Sequence, residues 1–510
     1  MAEYTSNKTI AKNTIFLYFR SFLMITINLF SSRVILQALG VEDYGLYGAL
    51  GSIVAMFTMI NGVLAAGTSR FLTFELGKGD KERLRKTFSA SFAMHVALAV
   101  ILFLLLETVG LWFVNNKMNI PEGREYAANI VYQFSIITSM LTLTQVPYSA
   151  SIISHEKMSV YAYVGIAEAT FKLGLIFVLL YIPFSDNLIA YAIIIAVWSI
   201  GLQLWYRFYC RKRFEECNLT IVRDKSIYKG MLSYSLWDFV GQFCSQGINQ
   251  GLNLLINIFF GVTMNAARSI AFQVENAITQ FSSNFMTASQ PQIVKSYAVG
   301  DFKRFEFLIS QGGAFAFYLL YTITLPLFLK TDFILGIWLT EVPEHTVVFL
   351  RVIMMTSLFR VIARPLIQGV HATGNVKFLN MSAGLLSALT YLPLVYIFFK
   401  VGLPYWSMFV VQIICCIMSS ILEAWSLRRL FAFSIMQYIK TAYCKTYAVA
   451  IIGAIIPVSF SILLDDTFLF NVLVMVVSLL SASICIFYLG LSQKMRLSIK
   501  NKIFNKIKKI

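Results

Sequence analysis

The chain is poor in charge. Only 13% of its 510 residues are Asp, Glu, Lys or Arg, against 58% hydrophobic, and the mean hydropathy is +0.71. Those proportions exclude an ordinary soluble domain and place the chain among polytopic membrane proteins. Acidic residues are scarcer than basic ones, 25 against 42. The basic surplus sits in short connectors between apolar runs, as membrane orientation requires, and calls for no nucleic acid. Histidine is rarer still. His95, His155, His345 and His371 are each isolated, with no partner at the spacing of a catalytic base or metal ligand. Seven scattered cysteines contain no CxxC pair, so neither a disulfide framework nor a zinc site follows. No enzyme and no metal is expected.

What the chain has in quantity is apolar runs. About twenty residues span a bilayer, and roughly fourteen windows fit. Span 1 lies near 13–36, spans 7 and 8 near 229–259 and 263–289, span 10 near 346–370 and the last near 468–491. The first is too long for a signal peptide and carries Arg20 inside it, so it reads as a retained helix. Connectors with Lys81, Arg83, Arg211, Lys212, Arg213, Lys303 and Arg428 share a side with both termini. The positive-inside rule makes that side the cytoplasm. The closing SIKNKIFNKIKKI is either a plain positive-inside tail or a strip lying on anionic membrane lipids.

An internal repeat organises these spans. LQALGVEDYGLYGAL resembles NIFFGVTMNAARSIA, with Gly40-Val41 and Gly261-Val262 separated by 221 positions. Gly79-Asp80 and Gly300-Asp301 keep the same offset without a gap. Six spans per copy is an even number, so both copies enter the bilayer from one side. The expected fold is an all-α polytopic membrane protein of about fourteen transmembrane helices. Two six-helix lobes, 1–228 and 229–432, form a parallel repeat around a central cleft. Residues 433–510 add two further helices and the basic tail.

Polar stripes mark the expected cleft. In span 7, Asp238, Gln242, Gln246, Asn249, Asn253 and Asn257 recur every three or four residues. Unsatisfied amides are expensive in hydrocarbon, so such a face meets either another helix or water. In span 10, Thr356, Arg360, Arg364 and Gln368 follow one another every four residues. Two arginines one turn apart repel, and something anionic must offset them: Glu275, Glu423 or a substrate. Arg268 and Glu275 stand seven residues apart on one face of span 8. Arg20 and Arg33 in span 1 and Lys172 in span 5 add further positive charge. Glu168, one turn before Lys172, offers to neutralise it, and Arg33 is near enough to a span end to snorkel. Bases outnumber acids at membrane depth. Guanidinium groups suit bidentate phosphate contact, so an anionic substrate is expected at Arg20, Arg33, Lys172, Arg268, Arg360 and Arg364.

The stretch ITINLFSSRVILQALGVEDYGLYGALGSIVAMFTMINGVLAAGTSRFLTFELGKGD resembles the opening of a flippase family. These are the polysaccharide-export flippases of the multidrug/oligosaccharidyl-lipid/polysaccharide exporter superfamily, in the Bacteroides-type form. NAARSIAFQVENAI, SNFMTASQPQIVKSYAVGD and LKTDFILGIWLTEVPEHTVVFLR resemble the same group. The likeness covers the first twelve spans and weakens over the last two. It implies export of an undecaprenyl-diphosphate-linked oligosaccharide across the bacterial inner membrane for O-antigen or capsule assembly. It also implies a cationic lumen that Arg20 and Arg268 would face. No cofactor is expected beyond coupling to Na⁺, H⁺ or the membrane potential, with Asp238 and Glu275 as candidate coupling carboxylates. Other polysaccharide-assembly proteins are candidate partners.

Two alternatives stand beside this reading. A Na⁺/H⁺-coupled exporter of drugs or of another anionic lipid shares the superfamily, though a drug exporter would normally want an acidic cleft. A membrane glycan polymerase or acyltransferase would want a large outer loop or a histidine or carboxylate cluster, and the chain offers neither.

Overall fold

The computed structural model describes residues 7–497, apart from 59, 119, 182–183, 340–341, 432 and 494. The basic tail beyond Leu497 lies outside the described residues. Every regular element among them is helical. In chain order the long ones are α1 Asn7–Thr58, α2 Ile60–Lys78, α3 Lys81–Asn116, α4 Glu125–Ser154, α5 Met158–Tyr181 and α6 Asn187–Arg213. Then come α7 Lys225–Ala298, α8 Phe302–Leu329, α9 Thr346–Thr373, α10 Lys377–Lys400, α11 Ser407–Leu430, α12 Ile435–Leu463 and α13 Phe468–Gly490. Among the described residues, 9 of these are long and apolar enough to cross a membrane. Dividing α1 and α7 at their internal breaks, and adding α2 and α5, accounts for the remaining segments of the sequence reading.

Those breaks are two glycines. Gly40 has φ 80° and ψ 171°, and Gly261 has φ 84° and ψ −177°. Only glycine adopts that conformation without strain, and helix continues on either side of it. The two positions are the pair that the sequence repeat aligned. Gly79 and Gly300, the second pair, also share a positive φ, 76° and 78°. Helix starts keep the same step. Lys81 corresponds to Phe302, Glu125 to Thr346, Met158 to Lys377 and Asn187 to Ser407, each 219 to 221 positions on. The repeat is therefore a repeat of backbone conformation, six segments deep, and α12 and α13 follow it.

The chain divides into two compact units, Met1–Phe239 with Val294–Asp301, and Val240–Ile293 with Phe302–Ile510. In unit 1, α4 packs on α6, α1 on α5, and α2 and α3 on α4. Tyr132 is fully buried there and donates to the carbonyl of Leu106 at 2.9 Å, where α3 widens into a π-helical turn. In unit 2, α9 packs between α8 and α11, α10 packs on α11, and α13 joins α8 to α12. Tyr321 donates to the Ala450 carbonyl at 2.6 Å, tying α8 to α12. Exposed Ile451, Ile455, Ile462 and Leu463 leave one face of α12 apolar, as a lipid environment allows. In lipid the apolar drive between helices is small, and close packing with satisfied polar groups holds a bundle together.

Candidate functional site

Unit 2 concentrates its charge along α9. Thr356, Arg360, Arg364 and Gln368 share a face by the helical period, and each meets a partner on a neighbouring helix. Gln412 on α11 donates to Thr356 at 3.3 Å, and Arg360 pairs with Glu423 on α11 at 3.0 Å. Arg364 donates to Ser283 at 2.7 Å, and Gln368 to the Met286 carbonyl at 3.2 Å, both on α7. The stripe thus stitches α9 to α7 on one side and to α11 on the other.

Arg268 and Glu275 lie on the part of α7 that follows Gly261. Arg268 is 6% exposed, donates to the Asn253 side-chain oxygen, and stands 5.7 Å from the Phe272 ring. Glu275 accepts from Ser357 on α9 at 2.7 Å and is within electrostatic reach of Arg364 and Arg268. The repulsion between Arg360 and Arg364 is therefore relieved from within. Glu423 neutralises the first, and Glu275 faces the second. Arg268, Arg360 and Arg364 still exceed Glu275 and Glu423 by one charge. Arg360 keeps 35% of its side chain exposed, whereas Glu423 keeps 3%.

In unit 1, Arg20 lies over the Tyr161 ring at 4.6 Å, and its buried Nε has no hydrogen-bond partner among the described residues. Room for it comes from Gly165, where a Cβ would stand 2.2 Å from that nitrogen. Nearby on α5, Lys172 pairs with Glu168 at 2.9 Å. The repeat places Gly241, Asn380 and Gly384 where unit 1 has Arg20, Tyr161 and Gly165. There the helices touch more closely still. A Cβ on Gly384 would stand 3.3 Å from the Gly241 backbone.

The sequence-derived residues separate into groups. Arg268, Arg360, Arg364 and Glu275 come together in unit 2, and Arg20 and Lys172 belong to unit 1. Arg33 lies on α1, with its side chain outside those described. The span 7 stripe divides. Asp238 is buried and belongs to unit 1, Gln242 and Gln246 are exposed, and Asn253 holds Arg268. Asn249 is partly buried and donates to the Ser245 carbonyl at 3.3 Å. Sequence reasoning passed over Ser283 and Ser357, which hold Arg364 and Glu275, Gln412, which holds Thr356, and Gly165, which the repeat could have flagged through Gly384. It also passed over Arg70, 5% exposed and lying 4.6 Å and 4.7 Å from the rings of Phe71 and Phe74.

No family model matches the sequence, and no curated protein matches it. Solved structures do. A MATE in the bent conformation superposes with a TM-score of 0.70 at 15% identity, covering 85% of this chain and 96% of the other. An outward-facing multidrug resistance MATE family transporter of the MOP superfamily gives 0.68 at 15%, covering 85% of this chain and 97% of its own. The chain has the MATE-type transporter fold. A MOP superfamily transporter from Pyrococcus furiosus gives 0.66 at 13% identity, covering 84% of this chain and 99% of its own. That protein is described as having a binding pocket of reverse polarity that suggests a different function. The shared architecture is all-α and multi-pass, in keeping with the apolar helices and the repeat.

Proposed function

We propose that this chain is a flippase that moves a diphosphate-linked oligosaccharide on a polyprenyl lipid from the cytoplasmic to the periplasmic leaflet. The observation that carries the reading is the charge balance at membrane depth. In unit 2 Arg268, Arg360 and Arg364 exceed Glu275 and Glu423 by one charge, and in unit 1 the Nε of Arg20 has no hydrogen-bond partner among the described residues. A diphosphate satisfies such groups, and a cationic drug does not. Both termini lie in the cytoplasm in this reading, and the diphosphate and glycan cross by alternating access while the lipid tail stays in the bilayer. Glu275 acts as counter-charge to Arg268 and Arg364, and its protonation or ion binding would couple transport to a gradient.

The test is deletion of the gene in the source bacterium, followed by leaflet-specific labelling of lipid-linked glycan with an impermeant reagent. Accumulation confined to the cytoplasmic leaflet is expected. Accumulation in the periplasmic leaflet would put the step after flipping and overturn the reading. Unchanged glycan in a strain with no second flippase would instead favour export of another anionic lipid.

A further inference from the structure

Unit 1 contains a cavity of about 210 Å³ between the second part of α1, α4 and α6. At ~30 Å³ per water it holds roughly seven waters, room for one six-membered ring with its substituents. Tyr47, Gly51, Phe134, Ser135, Thr138 and Ser139 line it, with aliphatic groups completing the wall. Apart from the phenol of Tyr47, no ionisable side chain among the described residues does so. The hydroxyls of Thr138 and Ser139 make no hydrogen bond to another described residue. Tyr47 stands edge-on to Tyr191 at 5.0 Å, which fixes its ring.

The repeat shows why the space is open. Tyr47, Gly51, Val54, Ser135 and Ser139 correspond to Arg268, Phe272, Glu275, Thr356 and Arg360. In unit 2 those positions carry the paired charges and an aromatic ring. In unit 1 the ring is missing, because Gly51 stands in place of Phe272. A Cβ on Gly51 would meet nothing within 4 Å. Burying a charge without a counter-charge is costly, so this wall suits a neutral ligand. Two hydroxyls without a partner among the described residues, set beside aromatic rings, suit one that carries hydroxyls on a partly apolar ring.

We infer that this cavity binds a neutral, hydroxyl-bearing ring, one sugar residue in size. The inference rests on the flippase reading for the source of the sugar, the glycan of the lipid-linked substrate. It separates the duties of the sites: sugar in the unit 1 cavity, negative charge on the arginines.

The experiment uses the full chain in lipid nanodiscs and saturation-transfer NMR with methyl glycosides of hexoses and N-acetylhexosamines. Inorganic pyrophosphate binding is measured on the same sample. The key variant is Gly51→Phe, which installs the residue of unit 2. It adds a side chain to open space and replaces a helix-weakening glycine, so the fold should survive, as circular dichroism and pyrophosphate binding would show. Thr138→Val is the milder variant, removing one hydroxyl at nearly constant shape. The expected result is ring-proton saturation in the parent, at least tenfold less in Gly51→Phe and severalfold less in Thr138→Val. Glycoside binding unchanged in Gly51→Phe would overturn the inference. A parent that binds pyrophosphate but no glycoside would also overturn it and leave the flippase reading in place. Glycoside binding that Gly51→Phe abolishes, without any pyrophosphate binding, would uphold the cavity and remove the diphosphate reading.

Discussion

Unit 1 and unit 2 run six segments in the same order and fill their interiors by opposite means. Where unit 2 sets Arg268, Phe272, Glu275 and Arg360, unit 1 has Tyr47, Gly51, Val54 and Ser139 around open space. At the crossing nearer the chain start the contrast reverses. Unit 1 lays the charged Arg20 over Gly165, and unit 2 brings Gly241 against Gly384. One backbone plan therefore tolerates either a charged, knitted interior or a neutral, open one. The knitted one demands counter-charges, because a buried arginine without a carboxylate or hydroxyl partner loses solvation and gains nothing. Fold and site chemistry are separable here, which is why likeness of fold at 13–15% identity leaves the substrate to the side chains.

The sharpest way to break the comparison is to remove a counter-charge. Glu423→Gln leaves Arg360 facing a neutral amide. Breaking a fully buried pair costs ~3–5 kcal/mol, and Arg360 retains some exposure, so about 2–3 kcal/mol is expected as a lower thermal midpoint in nanodiscs. Combining Glu423→Leu with Arg360→Met should recover most of that loss while abolishing glycan export. Conversion of Ser139, the unit 1 counterpart, to alanine should leave the midpoint nearly unchanged. Equal sensitivity of both units would mean that the charges do not knit unit 2.

Next comes the pair of glycines that the units share. Gly40→Ala and Gly261→Ala each force an L-residue into a conformation that costs ~1–3 kcal/mol. Neither Cβ would meet an atom within 4 Å, so the penalty is one of backbone alone and should be matched in the two variants. A loss at one site only would show that the second break relaxes into ordinary helix.

These glycines also mark how far the sequence could be read. Apolar windows and paired Gly-Val and Gly-Asp steps are local signals, so the spans and the repeat were legible. The α9 stripe was legible too, since spacing of four is a property of one helix. Its pairing was not. Glu275 and Glu423 were both plausible partners for the arginines, and the choice depends on which helix lies on which side of α9. The span 7 amides read as one wet face, yet Asn253 is occupied by Arg268, because α7 folds back at Gly261. The cavity of unit 1 left only a faint trace in the sequence, glycine where the repeat has Phe272, too little to show a space between three helices. Emptiness at Gly51 belongs to three helices together.

A smaller effect is expected at the helix crossings, and it should differ in kind between the units. In Gly241→Ala the new methyl would stand 2.2 Å from Asn380 Oδ1 and 2.7 Å from its Cγ, on a short buried side chain with little freedom to move. Overpacking of that sort costs ~1–3 kcal/mol. In Gly165→Ala the atoms in the way are the far end of Arg20, which can swing aside. Stability should fall by under ~1 kcal/mol, below the usual overpacking range. Export should nevertheless drop several-fold in the leaflet assay, because the guanidinium leaves its place over Tyr161. Full export in Gly165→Ala would detach Arg20 from transport.

The smallest effect concerns the starts of α4 and α9. Arg124 stands just before α4 in unit 1 and binds both Asp43 and Asp186, the latter at 2.6 Å. Burial works against its charge, but the hydrogen bonds and charges of Asp186 and Asp43 prevail and hold the guanidinium above its ordinary pKa. Unit 2 places His345 at the matching position. It meets the Tyr405 hydroxyl at 3.1 Å, lies against that ring with centroids 4.7 Å apart, and stands 3.4 Å from the exposed carboxylate of Glu344. An ionic clamp weakens with salt, whereas a ring contact beside a well-solvated carboxylate changes little. Arg124→Ala should therefore cost about 1 kcal/mol at low ionic strength and less in molar salt, as partly exposed pairs do. His345→Ala should cost a similar or smaller amount that salt changes less, since a ring contact of this kind is worth ~0.5–1.5 kcal/mol and Glu344 is exposed. If salt acts on both variants alike, the two contacts work by the same forces, and the contrast between the units ends at their interiors.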